Sequence, residues 1–338
     1  MRKIYISPSA KRGTGYTNPY VMNMKKSLGR YFEVLEADNR PCLMQGLALL
    51  RNSLRADVFV LNFLESIGFQ KFGFVQFCMA HLALRLLRLR GGKLVYVFHN
   101  RHPHQGENFM TRSLTKTLLK HSTAVFSHSG AASEYARKLL GGMGLADAKV
   151  HDVCHPVKMI PVKPDSAAGT PCDVFLWGAV LPYKGIFEFV RDPALAASGL
   201  SVRIIGSCGD TALAEAIRRH CNERVVFENR RAGFDEIAWY CRQARCVLFP
   251  YLPDSISSSG ALIDTIVLGG IPLGPDVGAF SDLARAGVCR VYADREEMFR
   301  LLAGEEPLAP VDEGRRRAFI AGNSWESFAS KIASSVTG

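Results

Sequence analysis

The 338-residue sequence lacks the features of a membrane-spanning, secreted or disulfide-bonded protein. It has no uncharged apolar run of the ~18 residues that a bilayer-spanning helix needs. The residues after Met1, RKIYISPS, have the pattern of a strand and not of a secretory signal. Nine cysteines are scattered without a C-x-x-C pair, which favours reduced thiols in the cytoplasm.

Motifs for metals and for nucleic acids are also missing. The sequence has no D-x-D and no His, Cys or Asp spacing that suits a metal site, so we expect no metal and no other cofactor. It has no recognition-helix motif, zinc finger or RNP-type strand, although its pI is near 9.3. A non-enzymatic nucleic-acid-binding protein is therefore the least favoured interpretation, and we expect no nucleic-acid partner.

Acidic residues are scarce in the first half of the chain. Residues 1–160 hold 23 Lys and Arg against 9 Asp and Glu, a net charge of +14, whereas the remainder holds 19 against 22, a net charge of −3. A basic half indicates an anionic partner, such as phospholipid head groups or a pyrophosphate-linked substrate. A surface that only keeps the protein soluble is the alternative.

Short apolar runs alternate with helical segments in both halves. The runs of the first half are 3–7, 32–37, 57–63, 93–100 and 124–129, and helical spacing covers 19–30, 72–90 and 109–121. The runs of the second half are 173–178, 201–207, 224–229, 246–251 and 271–276. This alternation predicts an α/β protein with two doubly wound parallel sheets.

We predict a first domain over 1–158, a linker over 159–170 and a second domain over 171–312, followed by helical residues 313–338. The linker is placed by three prolines and the absence of periodicity between 157 and 171. Ligands of such sheets bind at the carboxyl ends of the strands, so a cleft between the two domains is the expected site.

Two segments of the second half have the composition of an anion site. In WGAVLPYKGIFEFV, Gly178 lets the backbone approach a ligand and Lys184 offers a point charge. In SSSGALIDTIVLGGIPLGPDVG, a helix begins near Gly260, and its amino end favours phosphate oxygens. The residues of the second half that we assign to the donor site are those of these two segments and Gly206, at the end of the run 201–207: Gly178, Lys184, Gly206, Ser257, Ser258, Ser259 and Gly260. In the first half, Gly13 and Gly15 of KRGTGYTNPY are further candidates, with a plain flexible loop as the alternative.

These motifs resemble those of family 4-type glycosyltransferases, also called glycosyltransferase group 1 enzymes. WGAVLPYKGIFEFV is similar to their G-x-[IL]-x-P-x-K-G motif, and SSSGALIDTIVLGGIPLGPDVGAFSDL to their sugar-donor motif. DVFVLNFLES, YVFHNRHPHQ and FSHSGAASEY resemble strands of the acceptor domain, and NSWESFASKIA resembles the closing helix. The resemblance implies a GT-B fold, in which the first domain binds the acceptor, the second binds a nucleotide-sugar, and the last helix packs back on the first domain.

The sequence departs from the family pattern at three positions. Where the family commonly has two glutamates eight positions apart, this chain has Ser257 and Thr265, and Ala179 stands where an arginine is common. Hydroxyl groups still bind diphosphate or sugar oxygens, so Thr265 is also assigned to the donor site.

His99 ends the run 93–98, where the resemblance also places a functional histidine. It is a candidate to bind the sugar or the acceptor hydroxyl, and a histidine satisfied by loop backbone is the alternative. With Lys184 and Glu107 it forms the predicted catalytic set. An inverting reaction would take its general base from Glu65, His99 or Glu107, whereas a retaining reaction needs none.

Residues 72–90 are apolar and end in Arg85, Arg88 and Arg90. An ordinary helix packed on the first sheet is the preferred interpretation. The alternative is a helix in a membrane interface, with its apolar face inward and its arginines on lipid phosphates, and the two are compatible if only the arginine end is exposed. We therefore predict a cytoplasmic glycosyltransferase, peripheral to the inner face of the cell membrane. It would move a sugar from a nucleotide-sugar donor to a lipid-linked or polysaccharide acceptor in bacterial surface-glycan synthesis. A GT-B-like nucleotide-sugar epimerase or hydrolase is the alternative.

Overall fold

The computed structural model describes residues 1–8, 18–35, 45–99, 108–147, 149–163, 169–252, 259–304 and 308–337. The chain divides into two compact units. Unit 1 comprises Met1–Pro156 and Asn323–Gly338, and unit 2 comprises Val157–Gly322. Each unit contains one six-stranded parallel sheet with flanking helices, which confirms the predicted α/β fold. The linker at 159–170 stays a prediction, since residues 164–168 lie outside the described part.

The sheet of unit 1 has the strand order β2-β1-β3-β4-β5-β6. Its strands are β1 (Lys3–Ser7), β2 (Glu33–Val34), β3 (Val58–Asn62), β4 (Lys93–Phe98), β5 (Ala124–Ser127) and β6 (Val150–Asp152). The central strands read as continuous apolar runs because both faces of a parallel sheet are covered. The sequence prediction missed β6, an edge strand of three residues of which only Val150 is buried.

The helices of unit 1 are α1 (Pro19–Leu28), α2 (Gln45–Ser53), α3 (Gly73–Leu89), α4 (Phe109–His121) and α5 (Gly130–Gly141), and a 3₁₀ helix at Leu64–Phe69 precedes α3. Side chains of α2 to α5 belong to the core on one face of the sheet. Asn108 and Ser129 cap α4 and α5, each accepting a hydrogen bond from a backbone N–H in the first turn, and these caps set where the helices begin.

The sheet of unit 2 has the strand order β12-β11-β10-β7-β8-β9. Its strands are β7 (Val174–Trp177), β8 (Val202–Ile205), β9 (Val225–Glu228), β10 (Cys246–Leu248), β11 (Pro272–Pro275) and β12 (Arg290–Tyr292). The sequence prediction missed β12, another short edge strand. Because the chain passes from β7 outward to β9 and then returns to β10 on the other side, the strand order reverses between β7 and β10. Ligands of open parallel sheets bind at the carboxyl side of such a switch point.

The helices of unit 2 are α6 (Ile186–Val190), α7 (Pro193–Ser198), α8 (Thr211–Arg218), α9 (Phe234–Gln243), α10 (Gly260–Val267), α11 (Ala279–Arg285), α12 (Arg295–Ala303) and α13 (Glu313–Gly322), with a 3₁₀ helix at Pro182–Lys184. Two of them, the 3₁₀ helix and α10, begin beside the switch point.

A last helix, α14 (Trp325–Thr337), returns the chain to unit 1. Its buried face, including Trp325, Phe328 and Ile332, joins α1 in the core on the second face of the sheet. The Trp325 ring lies 4.9 Å from the ring of Tyr20. Unit 1 therefore depends on side chains from both ends of the described chain.

We expect Ile332→Ala to lower the free energy of unfolding of unit 1 by about 2–5 kcal/mol, because Ile332 is fully buried and its removal leaves a cavity. Ser334→Ala, at an exposed position of the same helix, is the matched control and is expected to change stability by less than about 0.5 kcal/mol. Urea unfolding measures both. Equal effects of the two substitutions would show that α14 does not pack on unit 1.

Candidate functional site

The chain makes a close approach at the carboxyl end of β7. Gly178 has a φ of +101°, a conformation that favours glycine. A Cβ added at Gly178 would lie 3.6 Å from Nζ of Lys184 and 3.8 Å from Cβ of Ala261. The backbone of Gly178, the ammonium of Lys184 and the first turn of α10 therefore meet at the switch point of unit 2.

The turn that carries Lys184 is tied to the segment after β10. Gly185 has a φ of +65°, and a Cβ there would lie 1.9 Å from the carbonyl oxygen of Pro250, so only glycine fits. The backbone N–H of Leu252 also donates to the carbonyl of Tyr183 at 3.0 Å. These contacts fix the position of the Lys184 side chain.

Lys184 is a buried cation, only 8% exposed. Its Nζ lies 5.5 Å from the centre of the Tyr251 ring, which offers a partial electrostatic partner. Burial lowers the pKa of Lys184 to about 8, because the ammonium loses hydration. No carboxylate among the described residues forms an ion pair with it. An anion at this position would restore the charged form.

The amino end of α10 adds a second positive element. Ser259 occupies the capping position and forms no side-chain cap; its Oγ lies 3.0 Å from the Tyr251 hydroxyl. A Cβ added at Gly260 would meet no described atom within 4 Å. Unpaired N–H groups and the helix dipole favour a phosphate at such an end. Ser257 and Ser258 lie outside the described residues.

Two further residues of the predicted donor site act as supports in this structure. A Cβ at Gly206 would lie 2.0 Å from the carbonyl oxygen of Gly178, so Gly206 permits the close approach. Thr265 is fully buried, and its hydroxyl accepts from Trp177 Nε1 at 2.9 Å and donates to the Ala261 carbonyl at 2.8 Å. Direct contact of either residue with a ligand stays a prediction.

In unit 1, His99 follows β4 and is 7% exposed. Its Nε2 lies 3.1 Å from Oδ1 of Asn62, whose Nδ2 donates to the carbonyl of Ser7 at 2.9 Å. Because the Asn62 amide group is thus oriented with its oxygen toward the ring, Nε2 carries the proton and Nδ1 is a hydrogen-bond acceptor. Phe63, with a left-handed φ of +56°, stacks on the ring with centroids 4.0 Å apart.

The rings of Tyr20 and His128 lie 5.0 Å and 5.3 Å from that of His99. The hydroxyl of Tyr20 lies 2.6 Å from Nε2 of His128, whose Nδ1 donates to the carbonyl of Val153 at 3.2 Å. This bond makes Nε2 of His128 the acceptor for the tyrosine proton. The ring of His155 lies 5.3 Å from that of His128. Burial, with the neighbouring histidines, lowers the pKa of His99 well below its usual value and that of His128 to about 3. The rings of His99 and His128 are therefore neutral at pH 7.

Other residues predicted from the sequence lie elsewhere. Glu65 is buried and accepts a hydrogen bond from the Tyr96 hydroxyl at 3.0 Å, on the sheet face opposite the valines of β4 that precede His99. Burial raises the pKa of its carboxyl. Gly13, Gly15 and Glu107 lie outside the described residues. In the described part of the chain, no group of three or more His, Cys, Asp or Glu side chains suits a metal, and the absence of a metal requirement stays a prediction.

The three predicted membrane-facing arginines have different surroundings. Arg85 is exposed, and Arg88 Nη1 lies 3.3 Å from Nδ1 of His121. Arg90 donates to the carbonyl of Ser53 at 2.8 Å and lines a cavity of about 260 Å³. No helix within the described ranges is both long and apolar enough to cross a bilayer.

Sequence reasoning did not single out Asn62, Tyr20, His128, Trp177 or Tyr251. Asn62 and His128 stand at the carboxyl ends of β3 and β5, as His99 does for β4, so the rule that pointed to His99 also applies to them. Trp177 and Tyr251 had no such signal, since an aromatic residue ending an apolar strand is typical of a core.

A scan of protein-family models gave no match to the sequence, and a search of curated proteins also gave none. Solved structures do share the architecture. Anabaena Alr3699/HepE, in complex with UDP and glucose, has a TM-score of 0.63 and 14% identity over 100% of this chain and 97% of that chain. AviGT4, a glycosyltransferase of avilamycin A biosynthesis, has a TM-score of 0.61 and 17% identity over 99% of this chain and 96% of that chain.

The lipopolysaccharide outer core galactosyltransferase WaaB has a TM-score of 0.63 and 11% identity over 100% of this chain and 99% of that chain. At these identities the likeness establishes the fold alone. The chain has the GT-B fold of glycosyltransferases, with two Rossmann-like units, as the sequence resemblance predicted. Membership of family 4 stays a prediction.

We expect the rings of His99 and His128 to give no titration in NMR spectra between pH 8 and pH 5, where free imidazole titrates near 6.5. The unfolded chain binds protons on these histidines below about pH 6.5 and the folded chain does not, so the stability of unit 1 falls as the pH drops below that value. His128→Gln should weaken this pH dependence. A titration midpoint near 6.5 for either ring in the folded protein would contradict the lowered pKa of that histidine.

Proposed function

We propose that the protein is a metal-independent glycosyltransferase that moves a sugar from a nucleotide-sugar donor to a glycan or lipid-linked acceptor. One observation carries the proposal: the buried Lys184 ammonium lies beside Gly178 and the first turn of α10. A diphosphate fits this arrangement, since its oxygens accept from an ammonium and from helix N–H groups. The solved structures with the same fold support it, because HepE was obtained with UDP and glucose and WaaB is a galactosyltransferase.

In the proposed reaction, the bond between sugar C1 and the diphosphate oxygen breaks, and its electron pair leaves with the diphosphate. The oxygen of the acceptor hydroxyl bonds to C1 and releases its proton. Lys184 and the amino end of α10 stabilise the negative charge that develops on the leaving group. The proton passes to that leaving phosphate in a retaining reaction, or to a general base in an inverting one.

In this proposal, His99 binds a hydroxyl group. Its Nε2 proton is held by Asn62, so Nδ1 accepts a hydrogen bond from a hydroxyl of the sugar or of the acceptor. Because the ring stays neutral, it does so without adding a charge that would compete for the diphosphate. Phe63 stacked on the ring restricts its orientation.

The basic first half of the chain supports an anionic acceptor or membrane. We place the enzyme at the inner face of the cell membrane, because residues 1–160 carry a net charge of +14. Bacterial surface-glycan synthesis is the pathway that the sequence resemblance favours, and the shared fold of WaaB supports it. A phosphate-linked lipid acceptor provides the matching negative charge.

The proposed function is tested by a donor screen. The full chain is incubated with UDP-, GDP-, ADP- and dTDP-sugars, and release of the nucleoside diphosphate is measured with and without glycan and lipid-linked acceptors. Release that depends on an acceptor supports transfer. Release at the same rate without any acceptor identifies a hydrolase or epimerase instead, and no release from any donor contradicts the proposal.

Lys184→Met should lower turnover at least ~100-fold with the active donor, since loss of one preorganised charge at the leaving group costs roughly 3 kcal/mol of transition-state stabilisation. Lys331→Met removes an exposed lysine of α14 and is the control, with turnover expected to be unchanged. A folded Lys184→Met enzyme with normal turnover removes Lys184 from the reaction.

Binding of a nucleoside diphosphate should weaken as the pH rises through about 8, the pKa of Lys184 in the free protein. Deprotonation removes the charge that holds the ligand, so affinity at pH 9 should be about tenfold lower than at pH 7. Calorimetry with UDP and GDP measures this change, and Lys184→Met corrects for ionisation of the ligand. A pH profile that is the same in both proteins excludes Lys184 as the binding cation.

A further inference from the structure

Helix α3 exposes an apolar face to solvent. Its inward face packs in the core through small and aliphatic side chains such as Ala80, Ala83 and Leu87. On the opposite face, Val75 and Leu82 are 50% and 48% exposed, and Leu89 is 83% exposed. These three residues are seven positions apart, so they lie along one side of the helix. A helix that is apolar on both faces has a second surface still to be covered.

Exposed phenylalanines extend this face at the amino end of α3. Phe72 and Phe74 are 65% and 61% exposed, and Phe109 at the start of α4 is 60% exposed. Phe109 lies with its ring 6.1 Å from that of Phe77, and Phe77 lies 6.3 Å from Phe74, so the aromatic rings form one group. Contiguous exposed aromatic surface of this kind marks an interaction site.

Phe72 is held outward by a strained backbone. It is one of two described non-glycine residues with a positive φ, here +55°. A Cβ on Gly73 would lie 2.1 Å from the carbonyl oxygen of Gly68, so the turn that presents Phe72 is closely packed. Apart from the neighbouring Lys71, whose Nζ lies 5.8 Å from the ring centre, the strain keeps a large apolar side chain in solvent, which indicates a function outside the fold.

The surroundings of the aromatic group are basic and almost free of acid. Between positions 66 and 133 the sequence has nine Lys and Arg and a single acidic residue, Glu107. On α4, the exposed residues Arg112, Lys116 and Lys120 are four positions apart and form a basic row along one side of the helix. α3 and α4 contact each other, and Phe109 of the aromatic group stands three positions before Arg112 on α4, so the aromatic group and the basic row meet at the start of α4.

We propose that these two features together, the exposed apolar residues of α3 and Phe109 with the basic row of α4, bind the surface of an anionic phospholipid bilayer. Aromatic and aliphatic side chains enter the boundary between head groups and acyl chains, and lysine and arginine bind lipid phosphates. A bilayer is chosen over a protein partner because exposed basic side chains, Arg85 and Arg88 of α3 and the basic row of α4, lie on the same two helices as the exposed apolar side chains.

The inference deepens the proposed function, since it names the partner that would present a lipid-linked acceptor. The inference rests on the proposed function only for the biological role of membrane binding, and not for the binding itself. Vesicle binding is measured without donor or acceptor, so its failure is distinguishable from a failure of glycosyl transfer.

The test sediments the full chain with phosphatidylcholine vesicles that contain or lack phosphatidylglycerol. Binding to the anionic vesicles is expected at low salt and should fall steeply at high salt. Phe72→Asn with Phe74→Gln should weaken binding at least about tenfold through the loss of inserted apolar surface. Asn tolerates the left-handed conformation at 72 and Gln suits a helix, so both changes are compatible with folding.

Met159→Ser is the matched control, because Met159 is 78% exposed and belongs to unit 2. It should bind vesicles as the wild type does. A separate variant, Arg112→Gln with Lys116→Gln and Lys120→Gln, should lose the preference for phosphatidylglycerol. A further variant, Phe74→Trp, reports insertion directly, since the fluorescence of a tryptophan that enters the bilayer should shift to the blue when anionic vesicles are added.

Three results would overturn the proposal. The wild type does not sediment with anionic vesicles at low salt; the phenylalanine pair and Met159→Ser weaken binding equally; or sedimentation velocity shows a dimer that the phenylalanine pair dissociates. The last result would assign the surface to a second copy of the chain.

Discussion

A buried ammonium, Lys184, dominates the carboxyl end of the second sheet, and no carboxylate of the described residues forms an ion pair with it. Burial favours the neutral form of Lys184, and the surrounding fold keeps the side chain in place through close backbone contacts at Gly178, Gly185 and Gly206. The Tyr251 ring compensates the lost hydration only in part. Within the described residues, the charged form of Lys184 is therefore left under-stabilised, and an anion bound beside it would restore that stabilisation.

Where unit 2 has a buried cation at the carboxyl ends of its strands, unit 1 has two neutral histidines. His99 and His128, which follow β4 and β5, are neutral, and each has its hydrogen-bonding direction set by a neighbour: Asn62 orients His99, and the Val153 carbonyl orients His128. Such groups discriminate hydroxyl geometry without attracting phosphate. Under the proposed function, Lys184 of unit 2 binds the diphosphate by charge, and His99 of unit 1 binds a hydroxyl group by a directed hydrogen bond.

Residues that directly follow buried strands were the most informative part of the sequence. They predicted Gly178 and His99, and the apolar runs predicted ten of the twelve described strands. β6 (VHD) and β12 (RVY) escaped because each is a short edge strand in which polar side chains interrupt the apolar run. The partners of site residues were not predictable. The sequence resemblance places Thr265 in the donor site, yet its hydroxyl accepts a hydrogen bond from Trp177, 88 positions away. A contact between residues so far apart in the chain cannot be predicted from one sequence.

The return of α14 to unit 1 has a consequence for biosynthesis. Unit 2 is continuous in sequence, so all of its described strands and helices have been synthesised before Trp325 is added. Until then, the face of the first sheet that carries α1 lacks the Phe328 and Ile332 side chains that complete its core. The usual order, in which the amino-terminal unit finishes first, is reversed. During translation the nascent first unit is therefore the species that most needs a chaperone.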